Sequence, residues 1–184
     1  ASTFRVKAKS TCPFDKVVSF TLKTSSNAYI DNVTSTFSVT FRQGWATHTV
    51  NNLKLSLTKD GAIGKKTQAY GSGLNIPSYN GNQLLESGLM IGVSNTKVSD
   101  NCRKGTTPAT SSDTDFTAIT SYTLQSPGLV SNEDGKGYFN DNGAGSNKIG
   151  VTVRPESYAW NGASDANYII LRYTIKNTSG APIN

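Results

Sequence analysis

The sequence lacks most of the side chains and motifs that carry catalysis or metal binding. Among its 184 residues it has one histidine, His48, and two cysteines, Cys12 and Cys102. It contains no Gly-x-Ser-x-Gly nucleophile motif, no phosphate-binding loop and no His-Glu-x-x-His zinc motif. The cysteines are too far apart for a zinc-binding spacing, and no His or Cys cluster completes such a site. We therefore predict that the chain is not an enzyme and carries no cofactor, with structural calcium considered below.

The single histidine has no obvious catalytic partner in the sequence. A serine hydrolase needs a histidine beside its nucleophile and an acid that orients the imidazole. Serines and aspartates are plentiful, but none is singled out as a partner for His48. The three glutamates, Glu86, Glu133 and Glu156, lie in unrelated contexts, which argues against the paired carboxylates of a glycosidase. His48 is predicted to face solvent or to be capped.

Long apolar runs and helical periodicity are also absent, so no membrane span and no substantial helix is predicted. Short alternating segments recur instead, between turns rich in the chain's 17 glycines. The alternating segments are Val18/Phe20/Leu22, Phe37/Val39/Phe41, Leu53/Leu55/Leu57, Phe116–Leu124, Ile149/Val151/Val153 and Tyr168–Lys176. The pattern predicts an all-β, antiparallel two-sheet β-sandwich, jelly-roll or immunoglobulin-like, forming one domain over residues 1–184.

Four local features add to this prediction. The stretch Leu84–Arg103 holds the densest apolar run, which is predicted to be a core strand around residues 89–93, buried on both faces, followed by a polar loop at residues 97–101. Asp60-Gly61 predicts a tight hairpin. Residues 132–143 are acidic and turn-prone, which predicts a loop, and Pro155 is predicted to end a strand because proline cannot donate to a ladder.

The charge is modestly basic, at +6, and the basic residues are scattered. No arginine-rich run or aromatic platform accompanies them, so nucleic acid is not a predicted partner. Solubilising charge on strand faces is one interpretation, and weak attraction to an acidic polysaccharide or a cell surface is the other. The aromatic residues Trp45, Tyr70, Tyr79, Tyr158 and Trp160 likewise predict either ordinary packing or a surface that stacks against sugars.

The pairing state of the two cysteines indicates the cellular compartment in which the protein occurs. Cys12 and Cys102 are predicted to form a disulfide, and two buried thiols are the alternative. A disulfide would indicate a secreted, extracellular or cell-surface protein. The sequence shows no signal peptide, so a secreted protein would be present here as a mature or excised form.

Asp134, Asn140, Asp141 and Asn142 offer the oxygen ligands that calcium prefers. Their spacing departs from an EF-hand, so the alternative is an ordinary turn stabilised by Asp and Asn side chains.

The two ends of the chain predict strand exchange between copies. Phe4, Val6 and Ala8 form one face of an N-terminal strand, which is a candidate donor. Ile169, Leu171, Tyr173 and Ile175 share one face of a strand whose next partner is predicted to be short or missing, which makes it a candidate acceptor edge. The alternative is that the N-terminal strand pairs within its own sheet.

Several phrases together resemble a known family. They are residues 55–64 with the hairpin Asp60-Gly61-Ala62-Ile63-Gly64, then Gly71-Ser72-Gly73, residues 84–103, residues 137–147 and residues 168–180. They are similar to the β-rich region downstream of the catalytic domain in secreted subtilisin-like serine peptidases of the Bacteroidetes type, cargo of type IX secretion. No catalytic motif of that family is present.

The resemblance implies a non-catalytic extracellular accessory domain with a binding or spacing role, whose partners are other domains of the same secreted protein. In the similar proteins a further strand and an acidic segment follow the Asn-Thr-Ser-Gly turn, which predicts either that the domain is truncated at its C-terminus or that the missing strand comes from elsewhere. The alternative function is a structural subunit of an extracellular filament or adhesin, with other copies of itself as partners.

Overall fold

The computed structural model describes residues 16–26, 29–41, 44–64, 73–84, 87–102 and 113–183. The chain divides into two compact units, Ala1–Gln43 and Gly44–Asn184, where the sequence predicts one domain. Each unit is described by itself. Among the described residues, no helix is both long enough and apolar enough to cross a membrane.

The described part of the first unit is one antiparallel hairpin, made of β1 (Lys16–Ser26) and β2 (Tyr29–Phe41). Val18 pairs with Val39 and Phe20 with Phe37, so the predicted apolar positions share one face. The rings of Phe20 and Phe37 stack with centroids 5.3 Å apart. The register confirms the alternation predicted for both segments.

The second unit holds eleven strands among its described residues and one short 3-10 helix, Asn142–Asn147. The strands are β3 (Trp45–Thr47), β4 (Lys54–Thr58), β5 (Ala62–Ile63), β6 (Leu74–Asn75), β7 (Ser87–Gly88), β8 (Met90–Ser94), β9 (Lys97–Asp100), β10 (Thr117–Gln125), β11 (Glu133–Asn140), β12 (Val151–Ala159) and β13 (Ile169–Asn177). All their pairings are antiparallel. The predicted all-β class is confirmed.

Two sheets of this unit pack face to face. One has the order β10-β11-β12-β13, and the other has the order β3-β4-β5-β7 with β6 beside β4. Leu55 and Leu57 of β4 contact Tyr122 of β10, with Leu171 of β13 packed alongside. A second cluster joins Phe116, Phe139 and Val153. The core is thus the sandwich interior that the sequence predicts.

The predicted turn at Asp60-Gly61 is also confirmed, because it connects β4 to β5. Gly61 has a φ of 85°, which favours glycine. A Cβ atom at this position would lie 2.9 Å from the Phe139 ring, so the turn also packs directly on the core.

The segment expected to be the central buried strand is half exposed, so that prediction is wrong. β8 pairs with β9 in a sheet of two strands, and Met90 is 63% exposed. Leu89 and Ile91 pack on the Phe116 cluster, so only one side of the run reaches the core. The predicted polar loop after it is wrong as well, because Lys97–Asp100 is the return strand of the hairpin.

Two further local predictions fail in the four-stranded sheet. Residues 133–140 form β11, a strand paired on both sides, where a loop was expected. β12 continues through Pro155 to Ala159. The proline is accommodated because the Cα pairing of β11 with β12 is interrupted there, between Lys136/Glu156 and Phe139/Val153.

Asp141 joins the end of β11 to the start of β12. Its carboxylate is fully buried and accepts N–H groups from Ile149 at 2.6 Å, Gly150 at 2.8 Å and Val151 at 2.9 Å. A buried carboxylate needs such donors because burial removes its hydration. This side chain therefore fixes the connection between the two central strands of the sheet.

We expect Asp141→Asn to lower the free energy of unfolding by about 2 kcal/mol, because an amide NH₂ would replace one acceptor oxygen opposite a buried N–H. Urea denaturation measures the loss. Asp165→Asn is the control, since among the described residues its carboxylate accepts only from the exposed side chains of Ser164 and Tyr168, and its effect should stay within about 0.5 kcal/mol. Equal stability of Asp141→Asn and the wild type would contradict the role of this carboxylate.

Candidate functional site

Among the described residues, a buried row of four hydrogen-bonded polar side chains contains the groups that a catalytic site would use. His48 Nδ1 lies 2.7 Å from Glu133 Oε2, and His48 Nε2 lies 2.5 Å from Ser157 Oγ. The Tyr122 hydroxyl lies 2.6 Å from the same Ser157 oxygen. All four residues are buried, and His48 and Ser157 have no exposed surface. The order Glu-His-Ser is that of a serine hydrolase triad.

The hydrogen-bond directions follow from the groups present. A carboxylate can only accept, so His48 Nδ1 carries the proton that bonds Glu133. In neutral His48 the other nitrogen accepts from the Ser157 hydroxyl, which in turn accepts from Tyr122. The backbone N–H of Thr49 also donates to Glu133 at 3.0 Å. Each polar group of this row thus has a partner, which offsets the cost of burying it.

The same contacts shift two pKa values. Burial acts to raise the pKa of Glu133, but hydrogen bonds from His48 and from backbone N–H groups outweigh it and hold the pKa below its ordinary value. Burial raises the pKa of the Tyr122 hydroxyl, so Tyr122 stays protonated and remains a donor. This buried group of four side chains therefore contains one ionised carboxylate, that of Glu133, at neutral pH.

Strand alternation brings the four groups together. Glu133 starts β11 and Ser157 lies on β12, both facing the interior between the sheets, while Tyr122 comes from β10. His48 directly follows β3 of the opposing sheet. Gly135 pairs with Ser157, and a Cβ atom there would collide with the Ser157 and Tyr122 oxygens. The small residue opposite Ser157 makes room for the row of side chains.

The expectation of a solvent-facing His48 is wrong, since the ring is fully buried. Sequence reasoning missed its partners because they lie 85 and 109 positions away. The signal that was present is the alternation Glu133-x-Gly135-x-Gly137-x-Phe139, which places Glu133 on the inner face of a strand.

The outer face of the four-stranded sheet carries aromatic rings and a charged pair of side chains. Tyr158, Trp160 and Tyr168 form a row of rings, with neighbouring centroids 6.4 Å and 6.0 Å apart. Arg172 lies over the Tyr158 ring at 5.7 Å and bonds Glu156 at 2.6 and 2.8 Å. Tyr, Trp and Arg are enriched among the residues that contribute most to binding at protein–protein interfaces.

Two of the five aromatics predicted to stack on sugars meet in this row, Tyr158 and Trp160, and Tyr168 joins them. Tyr79 is exposed on the loop after β6, and Trp45 lies in β3. Tyr70 lies outside the described residues.

The four predicted calcium ligands do not come together. Asp134 and Asn140 lie at opposite ends of β11, about 20 Å apart for an extended strand. Asn140 accepts the N–H of Asn142, and Asp141 accepts the three backbone groups described above. One ion cannot contact all four residues, and the bonds seen are those of the turn alternative.

A different acidic group lies beside β9. Carboxylate oxygens of Asp100, Asp113 and Asp115 fall within 4.8 Å of one another. Asp100 accepts the N–H of Cys102, and Asp115 accepts the N–H of Asp100. Two of the three carboxylates thus brace the local backbone.

The remaining predicted residues are placed as follows. Cys102 is buried, and Cys12 lies outside the described residues, so the disulfide stays a prediction. The donor residues Phe4, Val6 and Ala8 also lie outside the described part. Ile169 and Leu171 pack on the Leu55 cluster and Tyr173 on the Phe116 cluster, whereas Ile175 is about half exposed.

The substitution Glu133→Gln tests the buried hydrogen-bond network, because its effect on stability should depend on pH. Because the folded pKa of Glu133 lies below its ordinary value of 4.5, the ionised carboxylate stabilises the fold above that pH, and this stabilisation is lost as the pH falls further. We expect the variant to be less stable than the wild type by about 1–3 kcal/mol at pH 7. The difference should shrink below pH 4.5. Urea midpoints of the wild type and the variant, measured from pH 7 to pH 3, test this expectation. A stability difference that stays constant with pH would contradict the role of the ionised Glu133.

Comparison with known proteins identifies no family for this chain. No protein-family model, no curated protein and no solved structure matches the chain.

Proposed function

We propose that this chain is a non-catalytic, extracellular accessory β-sandwich of a secreted subtilisin-like peptidase, with a binding or spacing role. The observation that carries the non-catalytic part is the complete burial of Ser157 and His48. The resemblance of the turn and strand phrases to the region downstream of such catalytic domains supports the peptidase context.

Burial argues against Ser157 as a nucleophile. A nucleophile must come within about 3 Å of a substrate carbonyl, beside donors that stabilise the oxyanion. Ser157 Oγ instead contacts His48 and Tyr122 inside the sandwich and exposes no surface. The arrangement resembles a triad in its hydrogen bonds, but the part of the chain that the structure describes leaves Ser157 no exposed surface for a substrate, so we interpret it as a structural network.

The outer face supports the binding role. Tyr158, Trp160 and Tyr168 lie on it beside the Arg172–Glu156 ion pair. A rigid sheet that carries aromatic and guanidinium groups on its solvent side positions them without ordering a loop on binding.

We expect the purified chain to show no casein hydrolysis and no labelling by a fluorophosphonate, because such reagents need an accessible, activated serine. Gel fluorescence and a peptidase assay measure this, with subtilisin as the positive control. We also expect the coding sequence upstream, in the same frame, to encode a subtilisin-like catalytic segment. Labelling that disappears in Ser157→Ala would overturn the non-catalytic proposal, and the lack of such a segment would overturn the peptidase context.

A filament or adhesin subunit is the second candidate function. β13 pairs with β12 along nine residues, and no other described strand pairs with its second edge. In the first unit, Leu22 and Phe37 leave part of the apolar hairpin face exposed. Unpaired strand edges and open apolar faces favour β-strand donation from another copy.

Deleting residues 1–9 tests this candidate, because it removes the predicted donor residues Phe4, Val6 and Ala8. If copies exchange strands, sedimentation velocity should show the loss of oligomers while the thermal midpoint of the monomer stays unchanged. Unchanged association with a lower monomer midpoint would place the strand in its own sheet and exclude the filament.

A further inference from the structure

A pocket opens on the outer face of the four-stranded sheet, away from the buried network. Its volume is about 220 Å³. β10, β11 and β12 form its floor, and the loop of residues 126–132 forms one wall. It is smaller than the roughly 300–1,000 Å³ of most small-molecule sites, so it suits one unit of a longer ligand.

The floor consists of two cross-strand rows of side chains. Thr123, Lys136 and Glu156 form the first row, since Lys136 pairs with both of the others. Gln125, Asp134 and Tyr158 form the second row in the same way. Directly opposed residues share a face, so all six point to the outer side of the sheet. The pocket is therefore a consequence of the register.

Asp134 fixes the loop wall. Its carboxylate accepts the N–H groups of Leu129 at 2.7 Å, Val130 at 2.8 Å and Ser131 at 2.9 Å, and the Ser131 hydroxyl at 2.6 Å. The side chains of Leu129 and Val130 are left 88% and 64% exposed at a defined place beside the polar floor. A wall already held in this way needs little ordering when a ligand binds.

The floor contains polar groups with unused bonding capacity. Within the described part of the chain, the side chains of Thr123, Gln125 and Lys136 form no hydrogen bond or ion pair. Glu156, by contrast, is bound by Arg172 and by the Tyr158 hydroxyl. Lys136 is thus the charged group of the pocket floor that is left to pair with a ligand.

We propose that this pocket binds one unit of an acidic polysaccharide, with Lys136 pairing the sugar carboxylate and Tyr158 packing against the ring. The proposal rests on the accessory binding role and names its ligand class. Thr123 and Gln125 supply a hydroxyl and an amide that can both donate to and accept from sugar hydroxyls. Leu129, Val130 and the Tyr158 ring supply apolar contacts for the C–H groups of the sugar.

The charges favour an acidic sugar over a neutral one. An ammonium and a carboxylate form a charge-assisted hydrogen bond, which is about twice as strong as a neutral one. Neither carboxylate of the floor bonds Lys136 among the described contacts, because Asp134 accepts from the loop backbone and Glu156 pairs with Arg172. One lysine without an anion-binding helix end is a weak phosphate site, so the geometry favours a uronate.

Calorimetric titration of the folded chain with polygalacturonate, alginate and neutral galactan tests the proposal. We expect Lys136→Gln to weaken binding of the acidic polymers about tenfold, because it removes the charged partner. Lys176→Gln is the matched control, since Lys176 lies on the same face of β13 outside the pocket and carries the same charge. It should change affinity less than about twofold, because an exposed charge at this distance is screened by salt.

The outcomes are distinct. Loss of binding in Lys136→Gln but not in Lys176→Gln, with galactan bound more weakly than the uronates, supports the pocket. No binding of either uronate polymer, an equal loss in both variants, or galactan binding that is insensitive to Lys136→Gln overturns it. None of these results depends on hydrolysis, so the proposed polysaccharide binding can be disproved while the non-catalytic function stands.

Discussion

The buried contact between His48 and Glu133 is the constraint on which the second unit depends. Burying an imidazole and a carboxylate costs several kcal/mol unless each is paired. The two residues lie 85 positions apart and come from opposing sheets, so the pair forms only when the sandwich closes. Ser157 sits on the inner face of β12 with its Oγ bonded to His48, and a slip of one residue in that strand would turn it outward. The network therefore specifies register as well as stability.

The same strands separate the inner network from the outer pocket. On β11, Glu133 points inward to His48, whereas Asp134 points outward and holds the loop wall. On β12, Ser157 lies between Glu156 and Tyr158, which face the pocket. Three of the four network residues, Tyr122, Glu133 and Ser157, are covalently adjacent to a pocket residue, so fixing the interior also fixes the positions of the groups on the surface. A buried polar network in this unit thus supports a preorganised exterior.

The fold class was predictable because it depends on local patterns. Alternation at Leu55/Leu57 and Ile169/Leu171 identified inward faces, and Asp60-Gly61 identified a turn. Long-range pairing was not predictable. The glycines and acidic residues of β11 predict a loop. Gly135 is instead needed inside the strand, because a Cβ atom there would collide with the Ser157 and Tyr122 oxygens. The sequence shows which side a residue faces in a strand, but not which strand lies opposite, so His48 could not be assigned its partners.

Residue identity alone did not show which polar groups are already hydrogen-bonded within the fold. Asp134 and Asp141 have the oxygen chemistry of calcium ligands, but backbone N–H groups of the adjoining loops occupy their carboxylates. A carboxylate that already accepts three such donors gains less from a cation than one left in solvent, because the cation must displace good hydrogen bonds. Lys136, Gln125 and Thr123 carry no ligand motif, yet their bonding capacity is unused. Unused capacity at a fixed position, rather than residue type, is the reason for which we propose the outer face of this sheet as a binding surface.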